Sequence, residues 1–233
     1  LLSIPPNGRL LIGIAGIPAS GKSTLAVLVV GKVNQLLDQS RSEPPSTPEP
    51  TLLESSRAIL VGLDGWHLTR AQLDSMPDPK LAHDRRGAHW TFDADSYVSF
   101  IHELREPVLS GGSATITAPS FDHAVKDPCP HAITIQPEHR IIVIEGLYTF
   151  LSLPPWVDAG KLLDERWLVE LDPTVASKRL VKRHVISGVA KDQEEAHWRA
   201  VENDTPNGLF LLNNSLEPTR TIQSVHDPKY ALL

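Results

Sequence analysis

Residues 10–15 form a short continuous apolar run, stopped by Gly16. That is the pattern of a buried strand. The period then changes. Leu25, Val29, Val33 and Leu36/Leu37 recur at helical spacing over about 22–37, with Lys32, Gln35 and Gln39 among the polar positions. The chain therefore opens as strand, glycine-bearing loop, helix. Apolar runs at 58–63, 141–144 and 166–171 end at Asp64, Glu145 and Asp172-Pro173, and a further run covers 209–212. Each is predicted to be a buried strand, and Asp64 is taken to follow the strand beside the first. Residues 114–118 and 133–136 alternate and are predicted as short strands. Residues 221–225 are an edge strand or part of a tail. Asp93 or Asp95 is predicted to cap a helix carrying Tyr97, Phe100, Ile101 and Leu104 on one side. Further helices are predicted over about 174–187 and 193–203. Strands alternating with helices imply an α/β fold: a mainly parallel, five-stranded sheet with helices on both faces.

Between the first helix and the second strand the pattern breaks. Residues 40–50 hold four prolines with serines and acids between them, which neither a helix nor a central strand tolerates. An exposed inserted loop at about 40–56 is expected within one domain spanning 1–233. Apolar residues make up 41% of the chain, enough for a core. With 22 Lys+Arg against 28 Asp+Glu, the net charge of −6 argues against a nonspecific nucleic-acid binder. The one cysteine, Cys129, excludes an intrachain disulfide and a cysteine-rich zinc site. No apolar run approaches the roughly 18 residues that span a bilayer. The first six residues show neither a basic start nor a long apolar stretch, so the expectation is a cytoplasmic protein without a secretory signal.

The chemistry begins at the first loop. Gly16-Ile17-Pro18-Ala19-Ser20-Gly21-Lys22-Ser23 fits G-x-x-x-x-G-K-[ST], after a strand and opening a helix. The glycines let backbone N–H groups face phosphate oxygens, and the helix start adds free amides and a positive dipole end. Lys22 can reach the β- and γ-phosphates of a nucleoside triphosphate, and the Ser23 hydroxyl can ligate Mg²⁺. In an open parallel sheet ligands bind beyond the carboxyl ends of the strands, where Asp64 and Glu145 both fall. Asp64 could accept a proton from an attacking hydroxyl or help hold metal. Glu145 stands where a Walker B acid does, and could ligate Mg²⁺ through water or face the acceptor.

Together the loop 16–24 (ending in Thr24), Asp64-Gly65-Trp66-His67, Glu145-Gly146-Leu147-Tyr148 and the segment around Lys178-Arg179-Leu180 resemble the P-loop small-molecule kinases grouped with uridine kinase, phosphoribulokinase and pantothenate kinase. The chain is most similar to an uncharacterised uridine-kinase-like branch, through Arg85-Arg86-Gly87-Ala88, Thr91-Phe92-Asp93 and Asn203-Asp204-Thr205-Pro206-Asn207-Gly208. The resemblance spans roughly 10–213. It implies a P-loop NTPase fold with a small lid at about 174–205, and ATP and Mg²⁺ as cofactors. It makes Asp64 the base for the acceptor hydroxyl and places Arg179 and Arg183 in the lid over the phosphates. Gly65, Trp66 and His67 depart from the uridine kinase pattern toward that of pantothenate kinase.

The acceptor pocket is expected from His67, Arg85, Arg86, Asp122, His123 and Glu145, with Trp66 or Trp90 available to stack on a ring. Surface solvation or an ion pair stands as the alternative for each arginine, and core packing for each tryptophan. The expected reaction is transfer of the γ-phosphoryl group to a small metabolite, nucleoside-like in the first reading and a sugar or pantothenate-like alcohol in the second. A nucleotide-dependent interaction protein is the rival class. The expected partner is the small-molecule acceptor, with no nucleic acid and no membrane, and a homodimer left open.

Overall fold

The computed structural model describes residues 7–40, 56–108, 115–122, 124–188 and 190–230. Strand β1 (Leu10–Gly16) runs through the glycine loop into α1 (Lys22–Ser40). Strand β2 (Arg57–Gly62) ends in a tight 3-10 turn, Leu63–Trp66, followed by the short helices α2 (Arg70–Asp74) and α3 (Pro79–Asp84). Helix α4 (Ala94–Arg105) starts at Asp93, whose carboxylate accepts from the Ser96 amide. The four predicted apolar side chains of α4 are all buried. Strands β3 (Ile116–Asp122) and β4 (Asp127–Ile135) form an antiparallel hairpin, longer than the alternation suggested. The chain continues through β5 (His139–Glu145), α5 (Trp156–Leu162), β6 (Glu165–Glu170) and α6 (Pro173–Ile186). Helix α7 (Gln193–Arg199), a π-helical turn Ala200–Asp204 and α8 (Thr205–Asn213) run together, and β7 (Arg220–Gln223) closes the described sheet.

The main sheet has five strands in the order β2-β5-β1-β6-β7, with every pairing parallel. Along β1 and β5 successive side chains go to opposite faces. Leu11, Ala15, Ile142 and Ile144 join one cluster, and Ile12, Ile14, Ile141 and Val143 the other. Both faces are therefore apolar, which is why these strands read as continuous runs instead of alternating ones. Helix α1 covers the second cluster with Leu25, Val29, Val33 and Leu37. The first cluster is aromatic: Tyr97, Phe100, Tyr148 and Trp156 pack there with Trp66.

Two expectations are corrected. Strand β2 does not lie beside β1, because β5 intervenes. Residues 209–212 are not a strand. They belong to α8, which has Pro206 in its first turn. Asn207, Gly208 and Leu211 face inward, while Leu209 and Leu212 are exposed. Four consecutive apolar residues are too few to distinguish a strand from a helix with one wet face. The fifth strand is instead the 220–223 segment. Residues 41–55 of the expected insertion lie outside the described residues.

Candidate active site

Strand order decides what meets what. The C-terminal end of β1 carries the phosphate loop, that of β5 carries Glu145, and that of β2 leads to Asp64 two residues beyond Gly62. Because β5 lies between β1 and β2, Glu145 stands between the loop and Asp64. Adjacent strands are about 4.8 Å apart, so all three are brought to one edge by backbone pairing alone, with Ile14 and Gly62 both in register with Glu145.

Within the loop, the Ser20 amide donates to the Ile17 carbonyl (3.0 Å), and both Ala19 and Gly21 take positive φ, 63° and 92°. Glycine holds that conformation without strain. The first bond of α1 runs from the Leu25 amide to the Gly21 carbonyl (2.9 Å). This leaves the amides of Lys22, Ser23 and Thr24 without intrahelical acceptors, facing where an anion would sit. Ser20 is buried, and its hydroxyl has no hydrogen-bond partner among the described residues. Gly16, Ile17 and Pro18 complete the loop; Ile17 is buried against the core.

Ser23 Oγ donates to Glu145 Oε2 at 3.1 Å. Burial pushes the Glu145 carboxyl above its ordinary range; Lys22, the Ser23 hydroxyl and Arg183 pull it down, while the Asp64 charge pushes it further up. Ser23, Lys22, Asp64 and Arg183 therefore all lie within electrostatic reach of one carboxylate. A hydroxyl and a carboxylate side by side, with a second carboxylate near, are the oxygen donors a hard divalent cation prefers. The residues present fit Mg²⁺. Among the described residues no group of three or more His, Cys, Asp or Glu side chains could hold a metal by itself.

Asp64 is exposed in the 3-10 turn. His67 Nδ1 donates to the Asp64 carbonyl (2.8 Å), and the His67 ring packs on Phe92 and on Phe121 of β3, with centroids 4.0 and 5.1 Å away. Gly65 is what lets the hairpin come this close. A Cβ there would stand 2.3 Å from the Pro119 carbonyl oxygen.

The remaining predicted residues divide. Arg179 donates to the Ala19 carbonyl (3.4 Å) and to Ser224 Oγ (3.3 Å), which seats α6 on the phosphate loop. Arg183, one turn on, is exposed. Arg86 is held by Asp127 (2.8 Å) and by the carbonyls of Leu68 and Lys126, with its guanidinium over the Phe121 ring. Its surroundings are those of the ion-pair alternative. Asp122 accepts from the Ala124 and Val125 amides in the hairpin turn. His123 lies outside the described residues. Trp66 is in the core, whereas Trp90 is exposed.

Arg85 has company the sequence reading did not give it. It reaches Asn207, which bonds to Asn203, which bonds back to the Arg86 carbonyl. Two motifs more than a hundred residues apart thus form one hydrogen-bonded unit. The predicted helix stops at about 203, which hides the pair; with Ala200–Asp204 and Thr205–Asn213 both helical, Asn203 and Asn207, four apart, share one face.

No family model matches the chain. It is 47% identical over 154 residues to an ATP-dependent kinase-like protein of Aspergillus versicolor, covering 66% of this chain and 89% of that one. It is 35% identical over 217 residues to a provisionally named uridine kinase of Schizosaccharomyces pombe, covering 93% and 84%. Among solved structures, a provisionally named fructose transport system kinase from Silicibacter sp. superposes with a TM-score of 0.73 at 28% identity, over 92% of this chain and 89% of that one. No described helix is long and apolar enough to cross a membrane.

Proposed function

The chain belongs to the uridine-kinase-like family of ATP-dependent P-loop kinases, and from that premise we propose that it transfers the γ-phosphoryl group of ATP to a hydroxyl of a small metabolite. One observation carries the reading: the phosphate loop, the Ser23–Glu145 pair and the exposed Asp64 converge at one edge of a parallel sheet. The loop amides and Lys22 hold the β- and γ-phosphates. Asp64 accepts the acceptor's hydroxyl proton as its oxygen attacks the γ-phosphorus. The bond from that phosphorus to the β,γ-bridging oxygen breaks, and ADP leaves with the electron pair. Ser23 and Glu145 would hold Mg²⁺, which supplies charge neutralisation at the phosphates when bound. Arg183, projecting from α6, acts as the mobile cation of a lid over the transferring group, while Arg179 anchors that helix to the loop.

The acceptor of the first reading is nucleoside-like, in line with the name of the fission-yeast relative. A sugar or pantothenate-like alcohol is the second; of the two tryptophans expected to stack on a ring, Trp90 alone is exposed. Packed on Tyr97 and Phe100 in the core, Trp66 offers no face to a base. The test is ADP release with Mg·ATP and a panel of nucleosides and sugars, on the wild type and on Asp64→Asn. Loss of a general base lowers kcat by roughly 10²–10⁴-fold and leaves ATP-analogue affinity nearly intact. A parallel collapse of nucleotide affinity would make Asp64 a metal ligand instead.

A further inference from the structure

Arg85 is a cation that the phosphate chemistry leaves unused. It caps the C-terminus of α3 and is half-buried. No carboxylate lies within ion-pairing distance of it among the described residues, whereas the adjacent Arg86 is paired with Asp127 at 2.8 Å. Arg85 Nε, like that of Arg86, is buried and has no hydrogen-bond partner among the described residues. One terminal nitrogen donates to Asn207 Oδ1, at a long 3.4 Å. Asn207, 5% exposed, donates in turn to Asn203 Oδ1 at 3.1 Å, and Asn203 Nδ2 donates to the Arg86 carbonyl at 2.9 Å. The guanidinium is oriented by neutral amides, and the acid of that neighbourhood, Asp204, is taken up by His184 at 2.7 Å.

Its position is on the reaction side of the sheet. The Tyr148 hydroxyl, three residues beyond Glu145, donates to the Gly87 carbonyl at 3.0 Å. Burial raises the Tyr148 pKa, the Arg85 charge opposes that rise and the Asp204 charge adds to it, so both charges lie within electrostatic reach of that hydroxyl. On the other flank, Gly208 follows Asn207 and lies against the phosphate loop; a Cβ there would stand 3.2 Å from Ile17 Cγ2. A partly buried charge with an unsatisfied N–H is costly unless an anion completes it. The planar fork of arginine suits a carboxylate or phosphate group taken through two parallel hydrogen bonds.

We propose that Arg85, held by Asn207 and Asn203, is an anion site that receives a phosphate or carboxylate group carried by the phosphoryl acceptor. This rests on the kinase reading above and narrows its substrate class: the acceptor is an anionic alcohol, not a neutral nucleoside or free sugar.

The first test needs no turnover. The protein is saturated with Mg²⁺ and a non-hydrolysable ATP analogue, so that the phosphate loop is filled. Inorganic phosphate is then titrated by calorimetry, with acetate as the carboxylate arm. Saturable binding of one of them, weakened about tenfold or more in Arg85→Gln, is expected; the arm that binds identifies the anion. No saturable binding to the wild type in either arm, or equal binding to Arg85→Gln, overturns the proposal. Failure of the ATP analogue to bind at all would instead count against the kinase reading. Should Arg85→Gln not fold, Asn207→Asp places a carboxylate beside the fork; it is expected to weaken the same binding about tenfold, and unchanged binding overturns the proposal. The second test is kinetic. Sugars and polyols are assayed beside their monophosphates and carboxylates. Turnover of an anionic member is expected, with KM for that acceptor raised about tenfold or more by Arg85→Gln and KM for ATP unchanged. Neutral members turning over as well as their anionic counterparts sink the inference.

Discussion

Gly65→Ala is a one-methyl change beside the proposed base. In the native turn the new Cβ would lie 2.3 Å from the Pro119 carbonyl oxygen, 2.6 Å from its carbon and 3.1 Å from the Ser120 nitrogen. All three are backbone atoms of β3, so no side-chain rotamer can relieve the contact. An ordinary carbon–oxygen approach is about 3.3–3.6 Å, so the hairpin and the 63–66 turn must separate by about 1 Å. Overpacking of this kind costs about 1–3 kcal/mol. For a chain of this size that lowers Tm by about 2–12 °C. The kinetic effect is sharper, because Asp64 and His67 flank the substituted position and His67 packs on Phe121 of the same hairpin. A misplacement of about 1 Å costs up to roughly 10²-fold in rate. The expected variant is folded, less stable, low in kcat and close to normal in ATP-analogue affinity, since the phosphate loop hangs from β1. Gly31→Ala is the control: nothing lies within 4 Å of its Cβ, and alanine inside α1 is expected to stabilise by about 0.5–1 kcal/mol. Thermal melts, steady-state kinetics and analogue binding are measured on both. A Gly65→Ala protein with wild-type Tm and kcat would refute the packing argument.

Lys22→Ala should abolish turnover while the circular dichroism melt stays near wild type, since alanine suits the first turn of α1; retained turnover in a folded variant would remove the loop from the chemistry. Arg183→Ala should lower kcat at saturating acceptor more than it weakens ATP-analogue binding without acceptor, and an unchanged kcat would take Arg183 out of the site. Acid should destabilise the fold through His139, whose Nδ1 accepts from the Gln136 amide at 2.9 Å and whose pKa is depressed by burial and by Arg9, against Glu138. A depressed histidine lends stability above its unfolded pKa of about 6.5, and that stability is lost as pH falls through the lower folded value. His139→Gln should therefore flatten part of the loss seen in urea melts between about pH 7 and 5, leaving the share due to His89, which burial shifts the same way; an unaltered slope would contradict the assignment.

What the sequence disclosed was local. The runs ending at Gly16 and Glu145 are buried on both faces, so a near-continuous apolar string marks them. The α4 stripe behind Asp93 repeats at helical spacing on a single buried face. The phosphate loop needs only eight consecutive residues. What stayed hidden was pairwise. Nothing in β2 or β5 states that β5 enters between β1 and β2, because strand order depends on which crossovers pack. Residues 209–212 carry too short a run to reveal a period, and the helix shows only through Pro206 and the inward Asn207. Arg85 and Arg86 are sequence neighbours with similar prospects. Only the fold separates them, giving Arg86 an aspartate and Arg85 the side chain of Asn207, itself held by Asn203.

Among the described residues the β3–β4 hairpin shares no strand pairing with the five-stranded sheet; it buries Ile116, Ala118 and Ile135 in the core, rests on the Gly65 turn by contact, and is tied to the segment after α3 by the Arg86 bonds to Lys126 and Asp127. The molecule is therefore built as a chassis and an attachment. The chassis sets the spacing of loop, glutamate and aspartate through ladder bonds that a changed hairpin leaves untouched. The attachment supplies a wall beside Asp64 and can be reshaped without retuning the phosphate end. For an engineer the outer positions of the hairpin are the ones to vary when seeking a new acceptor, with Gly65, Arg86 and Asp127 kept as the fittings and Ile116, Ala118 and Ile135 kept as core.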